Sequence, residues 1–582
     1  MFLGLQKGSR VRILAAFLFV AVAAIVVRLF QIQIIDHGKY VAMGESEYVK
    51  RLTIPARRGL VYTLDSGKPV PLVVNETIFT LFLDPKIIDE PKKIEDVIKK
   101  VAGGNITSDI KEALKKTDSR YQVVAKELTR KQAELIKKEK LAGIGFQEGT
   151  RRVYPEGGLA AQVLGFVNGE GAGQYGIEQA LNERLKGKDG RLESVTDISS
   201  VPLTIGDKNI NQPAEDGENV VLTIDRNIQR KTEQALKAEL DRISPSATGS
   251  VMVMDPQSGK VLAMANFPSY NPAEYNKVKD AALFSNAVLT NSYEPGSVIK
   301  TFIMATGLDN GVVNPETTYY NRDYITVGDC GKDCTIGNAA LGHTGNITMQ
   351  TVLNYSLNTG AVTVAKLLGG GEVNKSARDR IYDYYHNRFG FGLKTGIELY
   401  EEQGIIVSPD DPSGANVRYA NMTFGQGMNI TMVQALSGFS AAINGGNYYK
   451  PTVVAGAMKD GKYKAAEAAE PVRTGVVKPA TSDTLRSMLQ TARGTTLAGQ
   501  RDEPGYRIGG KTGTSETITT SGYTKASTVA SYLGFGGGNT PKYAIMVRVQ
   551  CDGLSLEGGI HAEPVFSEIS NWLIKYMKVA KE

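Results

Sequence analysis

The chain has 582 residues, of which 42% are hydrophobic and 22% are charged, as in ordinary globular proteins. This length allows a large core and more than one domain. The net charge of +6 is small for the length and is spread along the chain, so composition gives little support to nucleic-acid binding.

An uncharged apolar run, residues 13–27, follows a basic N-terminus. The run is shorter than the roughly 20 residues that span a bilayer, but residues 29–32 extend it if Arg28 reaches the interface. We therefore predict a cytoplasmic tail at 1–12 and a transmembrane anchor at 13–32, with the rest of the chain outside the cytoplasm. A cleaved signal peptide is the alternative, because Ala21-Val22-Ala23 has the form of a cleavage site.

The region after the anchor changes character along its length. Residues 50–74 alternate short strand-like stretches with turns, and residues 152–190 are rich in Gly. Residues 86–147 are rich in Lys and Glu with helical spacing, which predicts a solvated helical insertion. The turn Asp216-Gly217-Glu218-Asn219 indicates the main domain boundary, so we predict one domain at 33–216 and another at 217–582.

The second domain is predicted to combine strands at both ends with a helical middle. A strand at 220–224 leads into a long helix, and residues 249–265 have the pattern of a hairpin. Two more strands are predicted at 528–535 and 543–549, followed by a closing helix at 571–579. This order favours an α+β domain with one antiparallel sheet.

The stretch 293–300 carries the strongest chemical signal. Pro295 and Gly296 break the preceding structure, and the apolar run after them favours a buried helix that begins near Ser297. Lys300 would then lie one turn further on the same face. A lysine kept away from water loses stability as a cation and can act as a base near neutral pH. The pair therefore predicts a serine nucleophile that needs no histidine.

A plain structural interpretation of Ser-x-x-Lys is a helix N-cap with a solvated lysine one turn on. A second copy, from Ser108 to Lys111, lies in a polar, Lys-rich stretch, and we interpret it as surface. The chain has four histidines, none with a neighbour at metal-ligand spacing or in a recognisable serine-hydrolase motif: His37, His343, His386 and His561. Lysine is therefore the favoured base for Ser297, and no metal or cofactor is predicted.

Two further elements belong to the same chemistry. Ser356 and Asn358 lie between two predicted helices, where the hydroxyl can relay a proton while the amide orients a substrate carbonyl. Taken alone this motif is weak, since Ser269-Tyr270-Asn271 fits it equally well. Lys511-Thr512-Gly513-Thr514 combines a cation and hydroxyls with a Gly-lined strand, which suits a small carboxylate and lets a substrate backbone approach closely.

Other interpretations of these elements are open. Residues 505–512 match the phosphate-binding P-loop pattern, but the β-branched, polar sequence that follows is unlike the helix that a P-loop requires. Lys394-Thr395-Gly396 repeats Lys-Thr-Gly in a turn without strand context. Cys330 and Cys334 can form a disulfide outside the cytoplasm, whereas zinc would need more ligands than these two and His343 supply.

The order Ser-x-x-Lys, Ser-x-Asn, Lys-Thr-Gly is a signature of penicillin-binding proteins and serine β-lactamases. The chain resembles a class B high-molecular-weight penicillin-binding protein, a peptidoglycan transpeptidase, from its anchor to about residue 569. Other similar stretches lie around the serine, in the part before residue 217 that resembles the family's pedestal domain, and in the part after it that resembles the catalytic domain. They are residues 293–297, 152–155, 159–165, 176–178, 389–392, 395–397 and 424–427. Val298 replaces the usual Thr, and Thr63-Leu64 replaces the usual Asp and Arg of the first pedestal motif.

The resemblance implies a transpeptidase fold like that of serine β-lactamases at 217–582, preceded by an elongated pedestal or dimerisation-type domain at 33–216. It also implies a mechanism. Lys300 would take the proton from Ser297, which attacks the penultimate carbonyl of a stem peptide ending in D-Ala-D-Ala. Ser356 would pass a proton to the departing D-Ala, and Asn358 would orient the donor peptide.

The same resemblance assigns the substrate carboxylate to Lys511, Thr512 and Thr514, and an oxyanion hole to the backbone N–H groups of Ser297 and Thr514. β-Lactams, which mimic the donor, are expected to acylate Ser297. A D,D-carboxypeptidase, a β-lactamase, or a non-catalytic β-lactam sensor or scaffold are the alternatives, and the pedestal and anchor favour wall synthesis. A membrane glycosyltransferase and other division or elongation proteins are the expected partners.

Overall fold

The computed structural model of the chain describes residues 7–40, 49–195, 210–328, 334–519 and 522–581. Contacts divide the chain into two units, Met1–Arg58 with Lys186–Gly217, and Gly59–Leu185 with Glu218–Glu582. The first half of the predicted tail, residues 1–6, and Cys330 lie outside the described residues.

The N-terminal helix α1, Lys7–Phe30, continues as a π-helical turn over Gln31–Ile35. Its segment Val11–Ile35 has 25 residues, most of them apolar, and none of them is buried. Among the described residues this is the one helix long and apolar enough to cross a membrane. The predicted continuation of the apolar helix beyond Arg28 is confirmed, as far as Ile35.

The first unit also contains a small antiparallel sheet, with the strand order β1-β8-β9. Its strands are β1 (Val49–Ile54), β8 (Gly190–Val195) and β9 (Ile210–Gln212).

A seven-stranded sheet in the second unit has the order β18-β17-β10-β2-β3-β4, and β5 pairs with β3 outside this path. The bounds are β2 Val61–Asp65, β3 Lys68–Leu83, β4 Gln122–Thr129, β5 Ile144–Val153, β10 Asn219–Asp225, β17 Val454–Lys459 and β18 Lys462–Ala465. The strand predicted at 220–224 is therefore β10, and it pairs with β2 and β17 rather than with the hairpin that follows it.

The predicted helical insertion at 86–147 is corrected by the structure, because the segment is mixed α/β. Its helices are α2 (Pro91–Ala102), α3 (Ile110–Lys115) and α4 (Arg130–Lys138), and they pack with β4 and the start of β5. Thr129 ends β4 and caps α4 through a capping box with Gln132. The Lys- and Glu-rich sequence with helical spacing therefore continues from a strand into a helix. Ile98, Leu128 and Ile136 are buried in a core that this segment shares with the end of β3.

Two of the pedestal stretches contact one another. Arg152, at the end of β5, and Glu178 form a buried ion pair at 2.9 Å. Glu178 lies on α6, one of three short helices: α5 (Ala161–Leu164), α6 (Gly176–Ala180) and α7 (Asn182–Lys186). A two-stranded ribbon joins β6 (Phe166–Val167) to β7 (Gly173–Gln174). Thr63, where the family motif differs, is buried and donates to the carbonyl of Ile224 at 2.7 Å.

The second predicted domain, residues 217–582, contains a five-stranded antiparallel sheet with the order β12-β11-β21-β20-β19. Its strands are β11 (Thr248–Met254), β12 (Val261–Phe267), β19 (Arg507–Thr519), β20 (Gly522–Gly537) and β21 (Pro541–Gln550). The predicted α+β class is confirmed, since strands from both ends of the domain enclose a helical middle.

Both faces of this sheet are covered by helices. One face packs against α8 (Arg226–Ile243) and α17 (Glu563–Tyr576), and the other against a large core around α10 (Lys300–Asp309) and α15 (Met432–Ile443). The closing helix begins earlier than the predicted residue 571, because Val565, Phe566 and Ile569 are also buried on the sheet.

The helical middle contains the remaining elements. The helices are α9 (Ala287–Thr290), α11 (Met349–Tyr355), α12 (Asn358–Leu368), α13 (Lys375–Tyr382), α14 (Asn416–Met422) and α16 (Pro479–Gly494). The connection between α10 and α11 contains two small antiparallel ribbons, and we call this connection the excursion. Its strands are β13 (Thr318–Asn321) paired with β16 (Gly345–Thr348), and β14 (Tyr324–Thr326) paired with β15 (Thr335–Gly337).

Candidate active site

Ser297 lies in a 3₁₀ turn, Gly296–Ile299, that leads directly into α10. The predicted buried helix is confirmed, since Phe302 and Ile303 are fully buried. In a 3₁₀ turn, residues three apart align on one side, so Lys300 points at Ser297. The Lys300 Nζ atom lies 2.6 Å from the Ser297 Oγ atom.

Lys300 is held in a dry, polar site. Its side chain is buried, and its Nζ atom donates to the Ser356 carbonyl at 2.8 Å and to Asn358 Oδ1 at 2.7 Å. The Ser356 Oγ atom lies 3.3 Å away. Burial lowers the pKa of Lys300 well below its ordinary value, and the positive charge of Lys511 lowers it further. The alternative interpretation, a helix cap with a solvated lysine, is therefore wrong for Lys300, because this lysine is buried.

The Ser-x-Asn element forms the junction between α11 and α12. Ser356 caps the end of α11 in a left-handed conformation with φ +58°, and Asn358 is the first residue of α12. This sharp turn brings the carbonyl and hydroxyl of Ser356 and the amide of Asn358 to the same amine. The Asn358 Nδ2 atom donates on its other side to the Gly337 carbonyl at 2.8 Å.

Lys511 lies on β19, one of the two edge strands of the five-stranded sheet. It is 3% exposed, and its Nζ atom donates to the Thr512 carbonyl at 3.1 Å and lies 3.2 Å from Thr512 Oγ1. Burial lowers the pKa of Lys511 to about 8, although Glu563 opposes the shift. Lys511 is thus largely a cation at neutral pH, whereas Lys300 has the stronger tendency to lose its proton.

Two glycines allow β19 to touch the turn that carries Ser297. A Cβ atom on Gly513 would lie 2.9 Å from Val298 Cγ1 and 3.1 Å from the Pro295 carbonyl oxygen. Gly296 has φ +63°, and a Cβ atom there would lie 2.7 Å from the Thr514 carbonyl oxygen. The serine turn and the Lys-Thr-Gly strand are therefore in direct contact, as a single site requires.

The remaining predicted residue, Thr514, is exposed at this contact, and its Oγ1 atom accepts from the Gly558 N–H at 3.2 Å. The structure thus brings all eight predicted residues into one region: Ser297, Lys300, Ser356, Asn358, Lys511, Thr512, Gly513 and Thr514. Their chemical roles remain predictions.

A buried charged cluster behind Lys511 was not found from the sequence. Arg493 and Glu563, both buried, form an ion pair at 3.1 Å, and Arg493 also binds Asp502 at 2.6 Å. Thr496 donates to the same Glu563 oxygen at 2.7 Å. Burial raises the pKa of Glu563, and Arg493 and Lys511 oppose that rise. No spacing motif links these residues, so the sequence carries no signal for them.

The competing motifs have other structural settings. In the second Ser-x-x-Lys copy, the Lys111 side chain is 68% exposed. The segment that matches the P-loop pattern runs into strand β19 rather than into a helix. Thr395 of the second Lys-Thr-Gly donates to Glu401 at 2.8 Å in a structural turn. Cys334 is disulfide-bonded, and Cys551 is free and buried.

Comparison with known proteins identifies the family of the chain. Residues 249–571 match the family model of the penicillin binding protein transpeptidase domain, and residues 53–222 match that of the penicillin-binding protein dimerisation domain. Stage V sporulation protein D of Bacillus subtilis is 26% identical over 566 residues, covering 96% of this chain and 85% of that protein.

Peptidoglycan D,D-transpeptidase FtsI of Escherichia coli is also 26% identical, over 580 residues that cover 98% of this chain and 92% of that protein. The crystal structure of penicillin binding protein 2X from Streptococcus thermophilus shares the fold with a TM-score of 0.73 at 21% identity, covering 91% of this chain and 80% of that one. The transpeptidase model alone spans more than half of the sequence. The chain therefore belongs to the penicillin-binding proteins and has the dimerisation and transpeptidase domains of the class B members that its motifs resemble.

Proposed function

We propose that this chain is a serine-type D-Ala-D-Ala transpeptidase that cross-links peptidoglycan stem peptides through an acyl-enzyme on Ser297. The observation that carries the proposal is the 2.6 Å contact between Ser297 Oγ and the buried Nζ atom of Lys300, whose pKa is lowered by burial. The reaction named for the relative from Escherichia coli, a peptidoglycan D,D-transpeptidase, is the one that this geometry suits.

The first step follows from the hydrogen bonds of an uncharged Lys300. A neutral amine has two N–H donors and one lone pair, and its donors match the Ser356 carbonyl and Asn358 Oδ1. The lone pair is then directed to the Ser297 hydroxyl and accepts its proton as Oγ attacks the penultimate D-Ala carbonyl. The backbone N–H groups of Ser297 and Thr514 would stabilise the oxyanion, at roughly 3 kcal/mol per donor in comparable sites.

The donor peptide would lie along β19. An edge strand can pair with an extended peptide through its outer backbone groups. Lys511, Thr512 and Thr514 would hold the terminal carboxylate, and Gly513 would let the two backbones approach. The Asn358 amide would orient the donor peptide.

Collapse of the tetrahedral intermediate breaks the bond between the two D-Ala residues. Ser356 would pass the proton taken by Lys300 to the departing D-Ala amine, which leaves an ester between Ser297 and the donor. The amine of a second stem peptide then attacks that ester and loses a proton to the same relay, which forms the cross-link and restores the serine. In a β-lactam the broken bond lies in the ring, so the leaving group stays attached and the acyl-enzyme persists.

The organisation of the chain fits wall synthesis outside the cytoplasm. We propose residues 1–12 as a cytoplasmic tail, 13–32 as the membrane anchor, 33–216 as the pedestal and 217–582 as the transpeptidase domain. The exposed apolar helix at Val11–Ile35 supports the anchor. A membrane glycosyltransferase that supplies glycan strands, with other division or elongation proteins, is the proposed set of partners.

Covalent labelling tests the nucleophile. The detergent-solubilised full chain is expected to react with a fluorescent penicillin, and Ser297→Ala is expected to abolish the label. Ser108→Ala, in the exposed copy of the motif, is the matched control and should label normally. Labelling that persists in Ser297→Ala would rule out this serine.

Product analysis separates a transpeptidase from a carboxypeptidase, in which water resolves the same acyl-enzyme. The chain is incubated with lipid-linked precursor and a glycan polymerase, and the digested products are measured by mass spectrometry. Cross-linked dimers are the expected result. Trimmed monomers alone would indicate a carboxypeptidase, and neither product, despite normal labelling, would indicate a β-lactam sensor.

A further inference from the structure

The first turn of α12, which presents Asn358, is bound from outside by the excursion that precedes α11. Gly337 ends β15, and its carbonyl accepts from Asn358 Nδ2 at 2.8 Å. The next residue, Asn338, contacts the next residue of the helix, Thr359. Two consecutive residues of the excursion thus bind two consecutive residues of the helix.

Asn338 completes the start of α12. The helix has no side-chain hydrogen bond from its own capping residue, Leu357. Instead, Asn338 Oδ1 accepts from the Thr359 backbone N–H at 3.1 Å and lies 3.1 Å from the Thr359 hydroxyl. An N–H group in the first helical turn lacks an intrahelical partner, so a cap supplied by a distant residue fixes the helix end against that residue.

Asn338 is itself anchored. Its backbone N–H donates to the Asp323 carbonyl at 3.0 Å, and its Nδ2 atom donates to Asp323 Oδ1 at 3.1 Å. Asn321, which is fully buried, also donates to that oxygen, and its own Oδ1 atom lies 2.9 Å from the Thr359 hydroxyl. The second Asp323 oxygen accepts from the Gly342 N–H and the Thr344 hydroxyl. Both the oxygen and the nitrogen of the Asn338 amide are therefore hydrogen-bonded, and the residue is 8% exposed.

We propose that Asn338 is a positioning residue for the acylation reaction and acts through Asn358. By joining the start of α12 to the Asp323 turn, it places the Gly337 carbonyl where only the NH₂ end of the Asn358 amide can bind it. The oxygen end of that amide then faces Lys300. This inference rests on the proposed function, because it adds a residue to the same site.

The orientation of Asn358 is chemically decisive. With its oxygen toward Lys300, the amide accepts one N–H of the amine at 2.7 Å and leaves the lone pair for Ser297. With the amide reversed, an NH₂ group would face the amine and compete with the serine hydroxyl for that lone pair. A carbonyl acceptor on the far side prevents the reversal, and Asn338 holds that acceptor in place.

A double-mutant cycle tests this inference on the full chain in detergent. The readout is the second-order rate constant for acylation by a fluorescent penicillin. Asn338→Ala is expected to lower it by roughly 10- to 100-fold, as small displacements of catalytic groups do. In an Asn358→Ala background the same substitution is expected to change it less than about twofold, because a residue that acts through another adds nothing once that residue is absent.

Asn266→Ala is the matched control, since Asn266 is 5% exposed and its amide also bonds two side chains, Ser250 and Asn286. This control is expected to lower the melting temperature without lowering the acylation rate constant. If Asn338→Ala does not fold, Asn338→Asp replaces it, because it keeps the size and the acceptor for Thr359 but removes the donor to Asp323.

The proposal is overturned if the folded Asn338 variant acylates within about twofold of the wild type, or if its loss is the same in both backgrounds. A wild-type chain that takes no label would instead contradict the proposed function, so the two failures are distinguishable.

Discussion

Lys511 and Lys300 are two buried lysines in one site, and the charge of Lys511 adds to the effect of burial in lowering the pKa of Lys300. Two ammonium groups out of water repel each other, so the site favours one cation and one neutral amine. The proposed chemistry needs this combination, with a neutral base at Lys300 and a carboxylate-binding cation at Lys511. The opposite requirements define a pH window for acylation.

The alkaline limit of that window is expected near the pKa of Lys511, about 8. Below this pH Lys511 carries the charge that we propose binds the substrate carboxylate, and the charge is lost as the pH rises through about 8. The rate constant for acylation should therefore fall above about pH 8. In Lys511→Arg, whose guanidinium keeps its proton, the fall should disappear. An unchanged alkaline limb in Lys511→Arg would assign that limb to another group.

Lys300→Arg tests the base directly. Arginine keeps a positive charge of similar reach but cannot be deprotonated at these pH values. We expect acylation to slow by about 10²- to 10⁴-fold, the usual contribution of a general base. Stopped-flow measurement of penicillin acylation checks the loss, with the melting temperature measured in parallel. A folded variant that acylates at the wild-type rate would show that Lys300 only supplies charge.

Gly296→Ala tests the contact between the serine turn and β19. The new Cβ atom would lie 2.7 Å from the Thr514 carbonyl oxygen, and φ at this position is +63°. Gly311→Ala is a matched control, with φ +67° and no atom within 4 Å of the new Cβ atom. Both variants should lose about 1 kcal/mol from the left-handed backbone. Only Gly296→Ala should also lower the acylation rate constant, and equal rates in the two variants would show that this contact does not affect acylation.

Arg493→Met tests the buried charge cluster behind Lys511. The substitution leaves Glu563 and Asp502 without their shared guanidinium, and removing one partner from a buried ion pair costs about 3–5 kcal/mol. Arg242→Met breaks the more exposed pair with Glu239 and should cost about 1 kcal/mol or less. Denaturant unfolding of both variants measures the difference. Similar losses in the two variants would mean that the cluster adds little to the stability of the fold.

The sequence predicts the parts of the site that depend on short-range geometry. Ser297 and Lys300 are one helical turn apart, so their spacing alone places the two side chains together. The strands at both ends of the domain also follow from local patterns. The proximity of the Lys511 strand to Ser297 depends on strand order and on two close glycine contacts. The sequence predicts it only through the resemblance of the three motifs and their order to a known family.

Other features depend on contacts that local patterns do not encode. The composition of segment 86–147 predicts helices because Lys and Glu favour them. Strand β4 and the start of β5 nevertheless form there by pairing with β3. Asn338 and Glu563 are single polar residues without a motif, and their importance comes from partners far away in sequence. Long-range partners of this kind become visible only in three dimensions.

The left-handed backbone at Ser356 has a consequence for how this site can change. Glycine would suit that conformation better than serine, since a side chain there costs about 1 kcal/mol. The substitution Ser356→Gly would therefore relax the junction between α11 and α12 while deleting the hydroxyl. The serine therefore keeps a local strain at the residue that we propose as the proton relay.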